Sequence, residues 1–291
     1  MQIRQSLGER VFDICNIIFL SMLSAAALFP LLHVLAGSLS SVNAIIQSKV
    51  TIFPVEPTLE HFRLVTRTDS FWQAGWMTIK VVFVATLLNM VITVFGSYPL
   101  SKIYLRGRSV ILLFIVFTMI FHAPLIPVYM VVKELGMINT MWALIIPSAV
   151  SAFNMILCIT FFRNLPEELF DAAKVDGMGE FRIVLQIVVP LSLPILVTLL
   201  LFYAVGHWNS YMTPLLYITD KSMATLQMYL YSLIAAGSSD TAGAANDTGG
   251  MLVPKAIEMA TIVLATIPIA ILYPFLQKHF VKGATLGSVK G

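Results

Sequence analysis

Six stretches of this chain carry no Asp, Glu, Lys or Arg: Ile14–Ser48, Val81–Ser101, Ser109–Val132, Leu135–Phe162, Ile183–Thr219 and Met259–Gln277. Each supplies the ~20 apolar residues needed to cross the hydrocarbon core of a bilayer. Within lipid no water bonds the backbone, so each stretch must satisfy its own N–H and C=O groups as a helix. The expectation is an all-α integral membrane protein: a single transmembrane domain over residues 1–291 with six transmembrane helices. The two longest stretches overshoot a bilayer, and their spanning parts are expected near residues 14–38 and 184–206. No small-residue cleavage pattern stands out after the first, so it is expected to stay as a span rather than leave as a signal peptide.

Composition agrees. Charged residues are 11% of the chain, against about 25% in a soluble domain. The net charge of +3 is small and dispersed, which argues against nucleic acid as a partner. Cys15 and Cys158 lie in apolar stretches without metal-ligand spacing and read as buried thiols.

Six spans put both termini on one side, and basic residues choose which. With the termini inside, the inner segments hold eleven of the eighteen Lys and Arg residues, including the tight hairpin Lys102–Arg108. The outer segments hold seven, in longer loops: Lys49, Arg63, Arg67, Lys80, Lys133, Lys221 and Lys255. The positive-inside rule therefore places both termini in the cytoplasm. Two extracytoplasmic loops are then long, 40–77 and 207–257. The second contains Met223–Ala236, too short and too polar to span and expected as an interfacial amphipathic helix, followed by a Gly/Ser/Ala/Asp stretch. No internal repeat is evident.

A polar island, 163–186, separates the fourth and fifth spans and packs five acidic residues between 167 and 180. Asn164 is placed to cap a helix whose first turn holds Pro166, Glu167 and Glu168, where proline fits and acids favour the positive end of the helix dipole. Leu169, Ala172, Ala173 and Asp176 share a face by three-and-four spacing. Gly177 ends the helix, and a second one starts near Gly179-Glu180. Small alanines on that face let another surface approach closely; a plain solvated connector is the alternative reading.

The island resembles the Glu-Ala-Ala loop of binding-protein-dependent ABC importers. The matching residues are Asp171-Ala172-Ala173, then Gly177, then Val188-Val189-Pro190, with Asp in place of the leading Glu. The resemblance extends over most of the chain and includes Trp208-Asn209-Ser210-Tyr211-Met212-Thr213-Pro214-Leu215, similar to sugar permeases of the maltose type. It implies a type I importer-like fold with a cytoplasmic coupling helix. It also implies that Glu168, Asp171, Ala172, Ala173 and Gly177 dock into a groove of an ATP-binding subunit. The implied partners are a second related permease, two ATP-binding cassette subunits and an extracytoplasmic solute-binding protein, in a bacterial inner membrane. The implied cargo is an oligosaccharide, leaning toward uronate oligomers such as alginate fragments.

No phosphate-binding loop, metal motif or nucleophile elbow occurs in the chain. It is therefore expected to be no enzyme and to hold no cofactor, with ATP and Mg²⁺ bound by the partner subunits. Polar residues at membrane depth default to function or to interhelical pairing: His33, Asn89, His122, Asn154, His207, Trp208, Asn209 and Tyr211. Of these, His122, His207, Trp208, Asn209 and Tyr211 are the candidate substrate path. Indole and phenol faces can stack on a sugar ring while amide and imidazole groups bond hydroxyls; an interfacial aromatic anchor is the competing reading. Rival classes are an ion-coupled secondary transporter and a structural membrane subunit. The spans lack the mid-membrane charges that ion coupling needs, and the loop pattern disfavours the second.

Overall fold

The computed structural model describes residues 7–121, 123–239 and 255–271, and the statements below concern those residues. All regular structure among them is helical. The elements are α1 (Leu7–Ser38), α2 (Val42–Ile46), α3 (Glu60–Arg67), α4 (Asp69–Ser101), α5 (Arg108–Ile120), α6 (Leu125–Glu134), α7 (Met141–Ile145) and α8 (Ala152–Arg163). They continue with α9 (Glu167–Val175), α10 (Glu180–Ile183), α11 (Val189–Leu191), α12 (Leu193–Trp208), α13 (Met212–Tyr217), α14 (Leu226–Ser239) and α15 over residues 255–271. The chain divides into two compact units: Met1–Asp69 with Leu230–Thr266, and Ser70–Tyr229 with Ile267–Gly291.

In the first unit α1 stops at Ser38, short of the end of its charge-free stretch at Ser48. The chain instead folds back on itself. Ser41 caps α2 by accepting from the Ala44 N–H, the Val55 N–H donates to Ser40 Oγ at 3.0 Å, and the buried His61 donates from Nε2 to the Ser40 carbonyl at 3.0 Å. Each bond satisfies backbone or side-chain groups that would otherwise end a helix unpaired. His33 is spent in the same way, with Nδ1 2.9 Å from the Thr51 carbonyl. A Cβ on Gly37 would collide with the Met259 sulfur, so this glycine permits close approach of α15 to α1.

In the second unit α4 runs unbroken from Asp69, although the charge-free stretch begins only at Val81. Lys80 is carried inside the helix with its ammonium 5.8 Å from the Trp76 ring centroid. The expected outer loop 40–77 therefore contains the first turns of α4. One charge about three turns into a helix does not stop it, because a long stem can carry the charge away from lipid.

The other expected spans are bent. α7 with its 3-10 extension and α8 meet at 52°, and Glu180–Leu191 meets Leu193–Trp208 at 87°. The second bend has a visible cause. Pro190 has no N–H and its ring clashes with the carbonyl four residues back. The backbone ahead of it widens into a π-turn over Val184–Val188 and breaks at Ser192, just before Pro194. Two helices, α1 and α4, are long and apolar enough to cross a membrane alone; counting each bent pair as one span gives five. The sixth stretch, Met259–Gln277, is described only to residue 271.

The largest core of this unit joins α4, α8, α9, α10 and α12 around Val94, Tyr98, Cys158, Phe162, Phe170, Ala173 and Leu199. Cys158 is buried as expected, whereas Cys15 is exposed on α1. The segment expected as an interfacial helix forms α14, whose first N–H, from Leu226, donates to Thr78 Oγ1 of α4 at 2.8 Å.

Candidate functional site

The polar island folds as one short helix with a tight exit. α9 starts two residues later than expected: Pro166 is its N-cap and offers no side-chain acceptor, while Asn164 closes the preceding α8 as C-cap. Glu167 and Glu168 occupy the first turn, where the helix dipole favours acids. At the other end Gly177 has φ of +76°. Its N–H donates to the Lys174 carbonyl at 3.0 Å and the Met178 N–H to the Ala173 carbonyl at 2.9 Å. This is the paired bonding of a Schellman turn, which needs a left-handed residue that only glycine adopts without strain.

The face expected to hold Leu169, Ala172, Ala173 and Asp176 is split by the packing. Ala173 is buried with Phe170, while Glu168, Leu169, Asp171, Ala172 and Asp176 stay exposed. The i, i+3 pair Phe170 and Ala173 nails α9 to the core, and its opposite surface is left open. Val175, at 88% exposure, is the most open large hydrophobic residue of α9.

A polar cluster fixes α9 against α4 and the basic hairpin. Tyr98, near the end of α4, donates to Glu180 Oε2 at 2.6 Å. Glu180 Oε1 is 3.5 Å from Lys174 Nζ, and Lys174 also donates to Tyr104 Oη at 3.4 Å. Lys102 places its ammonium 3.1 Å from the Phe170 ring centroid. Burial, and after it the nearby Lys174, push the Lys102 ammonium below its usual range. The Tyr98 hydrogen bond holds the Glu180 carboxyl below the usual carboxylate range, and the bond to Tyr104 raises Lys174.

Further along α4 a cavity of about 700 Å³ opens against α5, α8 and α12. Asn89, Asn154 and His207, three of the polar residues picked out at membrane depth, line it together with Ser148, Ser210 and Thr213. Asn89 Nδ2 donates to the Ser148 carbonyl at 3.0 Å and lies 3.4 Å from His207 Nε2. One helical turn further, Thr93 and Tyr203 share a hydrogen bond of 2.7 Å. The pairs 89/93 and 203/207 sit at i, i+4 on α4 and α12, so the two helices are clipped along facing stripes. Asn89 Oδ1 is buried without a partner among the described residues, an arrangement that costs about 1–3 kcal/mol unless something fills it.

Trp208, Asn209 and Tyr211 do not line the cavity. Tyr203, Gly206 and His207 do, at i, i+3 and i+4 on α12, a face that leaves Trp208 turned aside, while Asn209 and Tyr211 lie in the break between α12 and α13. Trp208 Nε1 is buried and makes no hydrogen bond among the described residues. His122 lies outside the described residues. Sequence reasoning missed Tyr98, Glu180, Thr93, Ser148 and Tyr203. The readable signal for two of them, Thr93 and Tyr203, was polar residues recurring at i, i+4 on two separate apolar stretches.

Residues 4–285 match the family described as binding-protein-dependent transport system inner membrane component. Protein LplC of Bacillus subtilis (strain 168) is 42% identical over 284 residues, 97% of this chain and 96% of that protein. The polygalacturonan/rhamnogalacturonan transport system permease protein YtcP of the same organism is 39% identical, over 97% of this chain and 99% of its own length. Among solved structures, a bacterial ABC transporter involved in the import of the acidic polysaccharide alginate matches with a TM-score of 0.87 at 29% identity, covering 96% of this chain and 100% of that one.

Proposed function

The chain belongs to the family of inner-membrane components of binding-protein-dependent transport systems, and from that premise we propose that it is the permease subunit of an ATP-driven oligosaccharide importer. It works beside a second permease, two ATP-binding subunits and an extracytoplasmic solute-binding protein. The ATPase is a separate subunit, and this chain catalyses no covalent step. The observation that carries the reading is α9: one face is locked into the core through Phe170 and Ala173, and the other is presented outward with Glu168, Leu169, Ala172 and Val175. A helix built this way can receive a push from a partner and pass it to the spans. The carbohydrate assignment, and its lean toward acidic oligosaccharides, draws on the two named permease and importer relatives.

In the mechanism, closure of the ATP-bound subunits displaces α9. Tyr98, Glu180 and Lys174 tie α9 to the end of α4, whose Asn89 lines the cavity. Displacement of α9 is thereby delivered to the wall of the path, and access alternates.

The test is Gly177→Val in the reconstituted complex. A β-branched side chain at φ +76° is strained, so uptake and substrate-stimulated ATP hydrolysis should fall together or the subunits should fail to assemble. Normal values of both would sink the coupling role. Orientation is tested separately in a C15A/C158A background. Lys49→Cys should react with a membrane-impermeant thiol reagent added to intact cells, and Lys174→Cys should not; the reverse pattern overturns the cytoplasmic placement of the loop.

A further inference from the structure

Where α4, α8 and α9 meet lies a small hollow to which the transport cycle assigns nothing. It holds about 90 Å³ and is lined by Lys102 and Ile103 after α4, Phe162 and Arg163 at the end of α8, and Glu167 and Phe170 of α9. Lys102 and Arg163 are the first charged residues after the charge-free stretches Val81–Ser101 and Leu135–Phe162. The hollow therefore sits at the level where the spans leave the hydrocarbon and headgroups begin. The distribution of basic residues puts that level on the inner side.

Two cations face one carboxylate there, so the lining is net positive. The Lys102 ammonium is seated on aromatic faces, 3.1 Å from the Phe170 ring centroid and 5.4 Å from that of Tyr98. A ring face holds a cation in place without neutralising it. Neither Lys102 nor Arg163 makes a side-chain hydrogen bond or ion pair among the described residues. Burial and the nearby Lys174 already work against the charge on Lys102, and an anion beside it would relieve both.

The surroundings say what kind of anion. Ile103 and Tyr104, next to Lys102, are 71% and 67% exposed. A hairpin that turns an apolar side chain and a phenol ring outward between the cations Lys102 and Arg106 is suited to the bilayer interface, where amphipathic side chains settle. A free phosphate has no use for that apolar surface, whereas the acyl chains of a phospholipid cover it.

We propose that this hollow is a headgroup site for an anionic phospholipid of the inner leaflet: Lys102 and Arg163 bond the phosphodiester, Glu167 accepts from a headgroup hydroxyl, and the acyl chains run past Ile103. Guanidinium and ammonium groups at a helix end are the usual partners of such phosphates. The lipid touches all three elements, so it ties the coupling helix to the two spans it has to move. The anionic lipid content of the membrane then sets how much of the push on α9 reaches the path. This last step rests on the coupling role of α9; the binding does not.

The test is lipid retention by the purified permease–ATPase complex, read by native mass spectrometry with phosphatidylglycerol and phosphatidylcholine as probes. The wild type should retain phosphatidylglycerol in preference. Lys102→Gln and Arg163→Gln should each weaken that retention about fivefold, the worth of ~1 kcal/mol per basic residue beside an anionic lipid. Arg106→Gln, on the same hairpin but outside the hollow, should leave it unchanged. An equal loss for Arg106→Gln would mean a diffuse field and no site, which overturns the proposal. Equal retention of phosphatidylcholine overturns it too, as does displacement of the lipid by an equal concentration of glycerol 3-phosphate, which would mark a site for soluble anions. Loss of the ATP-binding subunits from Arg163→Gln with lipid retention intact would make the hollow a protein contact and also overturn it. In proteoliposomes, trigalacturonate imported per ATP should rise when phosphatidylglycerol is added to phosphatidylcholine, and Arg163→Gln should flatten that rise. Site-specific retention with no such rise in the wild type would sink the role in coupling. A wild-type complex that imports nothing in either membrane fails the transport reading instead, while the retention comparison still decides the site.

Discussion

α1 and α4 are the two helices long and apolar enough to cross a bilayer unaided, and they have the same mean hydropathy. None of the most apolar window of α1 is buried within the chain, against 33% of that of α4. Hydropathy reports how well a helix tolerates lipid; it does not report which helix carries the core. In a bilayer, apolar packing gains little over contact with lipid tails, so small and polar residues mark the side that faces protein. α4 buries Thr78, Ala85, Thr86, Asn89, Thr93 and Ser97. On α1, Ser24 bonds its own Leu20 carbonyl at 2.7 Å and needs no neighbour.

The largest effect should come from the same substitution made on each helix. Ala85 is 0% exposed and sits among Val81, Leu144, Ile145 and Ile218, whereas Ala26 is exposed. Ala85→Leu overpacks that cluster, which should cost about 1–3 kcal/mol and lower the yield of folded complex. Ala26→Leu should stay within about 0.5 kcal/mol. Yields after detergent extraction and thermal ramping compare the two. An equal loss for Ala26→Leu would break the contrast, because α1 would then be buried by another chain.

A smaller effect isolates the polar stripe. Thr93→Val keeps the shape of the side chain but removes the 2.7 Å bond to Tyr203. Interhelical hydrogen bonds in membranes average about 0.6 kcal/mol and reach about 1.7, and this one lies in a buried pair, so about 1 kcal/mol is expected. Ser24→Ala on α1 removes a bond to its own helix backbone and should be silent in the same thermal assay. Equal shifts for the two would mean that the α4 stripe gives no more than local satisfaction of hydroxyls.

Much of this contrast was present in the residue pattern, though not all of it. The turn at Gly177 was readable because a glycine after an alanine-rich helix has one common use, and its φ is positive. Asn89, Asn154 and His207 stood out because polar groups in lipid are costly, and all three line the cavity. Trp208, Asn209 and Tyr211 were chosen for chemistry alone; helical phase turns Trp208 off the face that His207 uses, and Asn209 and Tyr211 fall in the break after α12. The bend at Ser192 was missed because six apolar stretches read as six rods, although Pro190 and Pro194 stood in view. Lys80 was taken as the edge of a span because counting charges ignores how far a long stem reaches. The link from Tyr98 to Glu180 joins residues 82 apart, and nothing local in either segment announces the other.

That link gives the smallest effect on stability and the most specific one on function. Glu180 has a side chain 58% exposed, so water replaces much of what Tyr98→Phe removes, and the loss of stability should be below about 1 kcal/mol. Transport should suffer more, since α9 would move without drawing the end of α4. The expected readout is fewer sugar molecules imported per ATP hydrolysed, with assembly intact. Acid gives an independent check. The Glu180 carboxyl is held below its usual range by Tyr98 first and by Lys174 as well. A depressed carboxylate contributes above the ordinary glutamate value of about 4.3 and loses that contribution as pH falls through the lower folded value. Acid titration of the wild-type complex should therefore show a loss that Tyr98→Phe lacks in part and Glu180→Gln lacks altogether. If Tyr98→Phe imports as many molecules per ATP as the wild type, α4 is not the helix that carries the push, and its polar stripe serves only to hold the cavity together.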